Sequence, residues 1–168
     1  MRNNVFSFCI LVVAQMLICN YLHISMYLTL SLLPVIILCI PTRIDTLRAM
    51  LIAFAAGFAV DFAAEGVIGL NIAALLPVAL MRRTLCGAIF GDELLSRNDD
   101  FSIRKYGLYK VIFAVAIVQA TFLAVYIWAD CGAARPFGEN FIRGLVSFVA
   151  GMLLSVPIAD MLTKEERR

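Results

Sequence analysis

Six runs of almost unbroken apolar residues, at about 5–22, 26–41, 47–64, 66–82, 108–129 and 141–162, dictate the solvent in which this chain can fold. A helix needs about 20 apolar residues, within a range of roughly 17–25, to cross ~30 Å of hydrocarbon, and only helices and closed barrels satisfy their own backbone there. The expected fold is an all-α integral membrane protein of six transmembrane helices. It forms a single membrane domain over 1–168, in which the polar stretch 83–107 is the one long loop. Composition agrees: 62% of the residues are hydrophobic and 15% charged, so no segment reads as a separate soluble domain. The start, MRNNVFSFCILVVAQMLICNYL, has the basic and apolar parts of a secretory leader. It lacks an A-x-A-like cleavage site, and Ile18 before Cys19 is too large for lipoprotein processing, so a retained first span is expected.

An even number of spans puts both termini on one side, and basic residues choose which. With the N-terminus cytoplasmic, Arg2, Arg43, Arg48, Arg82, Arg83, Arg97, Arg104, Lys105, Lys110, Lys164, Arg167 and Arg168 lie inside, and only Arg135 and Arg143 lie outside. That asymmetry predicts a multi-pass membrane protein with both termini and the 83–107 loop in the cytoplasm. Tyr21, Tyr27, Tyr126 and Trp128 fall near predicted outer ends, where amphipathic rings anchor in the headgroup layer. In GDELLSRNDD, the acids Asp92, Glu93, Asp99 and Asp100 interleave with arginine as on a solvated loop. A net charge of +2 gives no reason to expect nucleic acid as a partner, leaving membrane lipid as the surrounding phase.

The stretch GFAVDFAAEGVIGLN, 57–71, breaks the apolar pattern with Asp61 and Glu65. Thirteen residues beyond Arg48, at 1.5 Å per residue, put Asp61 about 20 Å into the bilayer, in its outer half. An ionised carboxylate there must face protein or water. Ala49, Ala53, Gly57 and Asp61 recur every four residues, a small-residue stripe that lets backbones approach closely, so the acid points into the bundle. Gly66 and Gly69 suit a tight reversal, and Asn71 can cap the next helix or bond across to Asp61. Two roles stand side by side for Asp61: capping exposed backbone at the hairpin, or binding a partner. A second stripe, Ser147, Gly151, Ser155 and Ala159, suits helix packing, inside the chain or against another protein. Pro34, Pro77 and Pro157 interrupt spans and are expected to kink them. Gln15, Asn20, Gln119 and Asp160 are expected to make structural bonds between helices.

Catalytic chemistry is not written in the chain. Five cysteines form no C-x-x-C pair, His23 stands without a second ligand, and nucleophile-elbow, H-E-x-x-H and phosphate-loop motifs are missing. No enzyme activity, cofactor or metal is expected.

Gly57, Asp61 four residues on, Gly69 eight residues after that, and a long apolar span ending at Arg82 and Arg83 resemble the signature of the MreD family. Length, the six-span layout and the polar 83–107 stretch followed by SIRKYGLYK also resemble its shorter members, while Glu65 stands where the family often carries a small residue. The resemblance implies a fold similar to the six-helix substrate-binding component of energy-coupling-factor transporters. It implies a membrane scaffold of the bacterial cell-elongation machinery that supports peptidoglycan synthesis and cell shape. An MreC-like bitopic protein would be the direct partner. An MreB-like filament and a RodA-type polymerase with its transpeptidase would be reached through the complex. Gly57, Asp61, Gly69, Asn71, Ser147, Gly151 and Ser155 are then the candidate partner or packing residues. The alternative is a substrate-binding membrane component of a vitamin-type transporter, which would line a pocket with Asp61, Asn71 and either Tyr126 or Trp128.

Overall fold

The structure, a computed structural model, describes residues 2–21, 31–41, 44–65, 69–91, 107–131 and 137–165. These residues form six helices: α1 (Arg2–Tyr21), α2 (Leu33–Leu38), α3 (Thr46–Val60), α4 (Leu70–Phe90), α5 (Leu108–Cys131) and α6 (Phe137–Glu165). A π-helical turn, Asp61–Glu65, extends α3. The described chain is all-helical, and four stretches are long and apolar enough to cross a membrane: Thr46–Ala63, Leu70–Phe90, Tyr109–Asp130 and Asn140–Ala159. His23, Tyr27, Gly66, Asp92, Glu93, Asp99, Asp100 and the side chains of Asn20, Tyr21, Glu65 and Asp160 lie outside the described residues.

Neighbours in sequence pack together, α3 on α4, α4 on α5 and α5 on α6, while α1 lies against α2, α3 and the π-helical turn. The short α2 touches every other helix, and all six of its residues are buried. A helix apolar all round belongs in a core. Pro34 does not break it: it stands in the first turn, where a missing N–H is no loss.

Burial in α3 runs opposite to the soluble pattern. Ala49, Ala53, Ala56, Gly57 and Val60 face the protein, while Leu47, Leu51, Phe54 and Phe58, with Phe62 of the π-helical turn, face outward. Smaller residues inside and large apolar ones outside suit a lipid surround, where close backbone approach rather than water exclusion holds helices together. The three phenylalanines stack at i, i+4 spacing with centroids 6.5 and 6.1 Å apart.

Three sequence expectations need correction. Within the second expected span, 26–41, the described residues hold only the six-residue α2, Leu33–Leu38, which is too short to cross a membrane. The fourth helix does not stop at Arg82: it runs to Phe90 and ends at Gly91, whose φ of 84° is left-handed. The arginine pair read as the start of the 83–107 loop, but Arg82 is buried and Leu85, Cys86, Ile89 and Phe90 continue the packed face. Tyr126 is likewise no headgroup anchor. It is buried, its ring 5.7 Å from that of Phe122, whereas Trp128 stands 81% exposed.

Candidate functional site

Asp61 ends α3 and is fully buried. Its carboxylate accepts four hydrogen bonds, two on each oxygen. Asn71 N–H (3.0 Å) and Asn71 Nδ2 (2.9 Å) donate to Oδ1, and the N–H groups of Gly69 (2.8 Å) and Ile72 (3.4 Å) donate to Oδ2. A carboxylate offers about four lone-pair positions, so its acceptor capacity is used up. Gly69 is the N-cap residue of α4 and has no side chain with which to cap. The acid of the preceding helix takes that role, meeting the free N–H groups of the first turn and the positive end of the helix dipole.

Gly57 makes this reach possible. A Cβ there would stand 2.9 Å from Ile72 N, 3.0 Å from Ile72 Cα and 3.1 Å from Asn71 C, all backbone atoms of the helix start that Asp61 grips. Gly69 serves differently: its φ of 115° is left-handed, and nothing would crowd a Cβ. The structure thus brings Gly57, Asp61, Gly69 and Asn71 together at the α3–α4 hairpin and gives the carboxylate the capping role.

The opposite end of the hairpin carries a residue that the sequence marks as the inner end of an apolar span, with no packing role expected of it. Arg82 is 4% exposed. Its Nη1 donates to the carbonyls of Ile40 and Pro41, and its Nη2 to those of Pro41 (3.4 Å) and Ile44 (3.1 Å). One guanidinium fork thereby fixes the link between α2 and α3 onto α4. No motif announces this, because the acceptors are backbone carbonyls about forty residues away.

Ser147, Gly151, Ser155 and Ala159 are all buried, so the second stripe faces the chain's own core. A Cβ on Gly151 would stand 3.0 Å from Gln119 Cδ, which seats α6 on α5. Gln119 in turn donates to the carbonyl of Ser31 at 3.4 Å, and Gln15 accepts from Leu32 N–H at 2.8 Å, the interhelical roles expected of both glutamines. Arg143 pairs with Asp130, tying α5 to α6 near their connection. The four residues named for a transporter pocket do not converge: Asp61 and Asn71 bind each other, Tyr126 packs on Phe122, and Trp128 is exposed. Comparison with protein families, curated proteins and solved structures finds no match to this chain.

Proposed function

We propose that this chain is a six-span membrane scaffold of the MreD type. Its termini and the stretch after α4 lie in the cytoplasm of a bacterial inner membrane, and it binds an MreC-like bitopic partner in support of wall synthesis. Through that partner it would connect to an MreB-like filament and a RodA-type polymerase with its transpeptidase. The observation that carries this reading is the division of labour among side chains. Among the interior polar groups, the two charges Asp61 and Arg82, with Asn71 and Gln15, bond to the chain itself. The outward surface is apolar helix face: Phe54, Phe58 and Phe62 on α3, and Leu145, Val149 and Leu153 on α6. Such faces suit another membrane helix, whose association rests on packing. Both small-residue stripes are covered internally, so the partner face is sought among these larger side chains.

The test is co-purification of the full chain with an MreC-like single-pass protein. The parent is expected to hold the partner, and Phe58→Ala on α3 or Val149→Trp on α6 to release it with the yield of folded chain unchanged. Failure of the parent chain to retain the partner, together with tight one-to-one binding of a vitamin-like ligand, would replace scaffold with transport component.

A further inference from the structure

We propose that the place where α2, α5 and α6 meet holds a buried water site. Ser31 Oγ, Gln119 Oε1 and Ser155 Oγ are closed off from solvent and have no hydrogen-bond partner among the described residues. They belong to three separate elements: the residue two before α2, the middle of α5, and α6. Gln119 joins them, since its Nε2 reaches the Ser31 carbonyl while its amide lies against Gly151. Ser155 follows Gly151 by one turn on the same buried face. Helix side chains lean toward their own N-terminus. The contacts Asp130 to Arg143 and Gln119 to Gly151 make α5 and α6 antiparallel, so Gln119 and Ser155 lean toward one another. Gly151 places no side chain between them.

Buried polar atoms left without a protein partner are where structural waters bind, each water making about three hydrogen bonds. Two hydroxyls that donate or accept and one carbonyl that accepts match a molecule with two protons and two lone pairs. The buried charges, Asp61 and Arg82, are committed elsewhere. The three orphan oxygens are neutral, and a neutral set favours water over a cation. A water here would tie α6 to the core through α2.

The probe is water itself, in the full chain reconstituted in lipid. The Gln119 side-chain amide should show magnetisation transfer from water in NMR, weakened in Ser155→Ala. Ser31→Ala and Ser155→Ala should each lower Tm by about 2–4 °C. The double variant should fall by less than the sum, because both substitutions remove bonds to one shared molecule. No transfer in a parent whose Gln119 signal is visible, or a Tm that rises with each serine removed, would show dry orphan groups and overturn the proposal. Transfer that vanishes when sodium and potassium are replaced by choline would overturn it in favour of a bound cation.

Discussion

The α3–α4 hairpin is closed at each end by one buried charge, and the two closures solve opposite problems. At the hairpin turn, Asp61 meets the N–H groups that open α4. At the far end, Arg82 meets carbonyls in the segment that follows α2. Each charge sits where the helix dipole favours it, an acid at a helix start and a base beyond a helix end. Neither hydrogen-bonds to a side chain of opposite charge in the contacts described. The difference lies in range: Asp61 binds residues 8 to 11 positions away, Arg82 residues 38 to 42 positions away. The first closure shapes a supersecondary unit and the second joins that unit to the rest of the bundle.

Breaking the local closure should cost most. Asp61→Leu leaves three backbone N–H groups and an amide without acceptors, and hydrogen bonds to charged groups are worth about 1.5–3 kcal/mol each, so a loss of roughly 3–5 kcal/mol is expected. Asp61→Asn keeps one oxygen for Asn71 but turns an NH₂ toward the N–H groups of Gly69 and Ile72, so about half that loss is expected. Unfolding of both variants in lipid or detergent checks the order; equal stability of all three proteins contradicts it.

The long-range closure should cost less. Arg82→Met strands carbonyls rather than N–H groups, which proteins tolerate better, and also removes a buried charge, leaving a loss of about 1–3 kcal/mol. Arg82→Lys should recover little of it, because one ammonium cannot reproduce a fork spread over three carbonyls. Protease sensitivity of the α2–α3 link is the sharper readout, expected to rise in Arg82→Met and to stay at the parent level in Asp61→Leu.

Gly69→Ala should have the smallest effect, about 1–2 kcal/mol, since a left-handed backbone is strained for alanine while the space around it is open. Its unfolding midpoint should lie between those of the parent and Asp61→Asn.

What the sequence revealed follows the same division by range. The four-residue spacing of Ala49, Ala53, Gly57 and Asp61 fixed the face of α3, and the glycines beyond it marked a turn, so the hairpin site was legible in one stretch of chain. The role of Arg82 was not, because a charged residue at the end of an apolar run reads as a boundary until its distant carbonyls are known. The same misreading placed the end of α4 eight residues early. Tyr126 failed for a related reason: aromatic position near a helix end is a weaker signal than the Phe122 ring it packs on. Gln15 and Gln119 were legible as interhelical groups by residue type, though not which backbone they would meet.

Amide hydrogen exchange in the membrane-embedded Asp61→Leu variant tests the clasp most directly, because the account holds that this carboxylate protects the start of α4. Exchange at Gly69, Asn71 and Ile72 should quicken by at least tenfold relative to the parent, while the amides of Ile44 and of the middle of α5 keep their rates. Unchanged protection at Asn71 and Ile72 in a folded Asp61→Leu protein would contradict the account, since the acid would then be closing nothing.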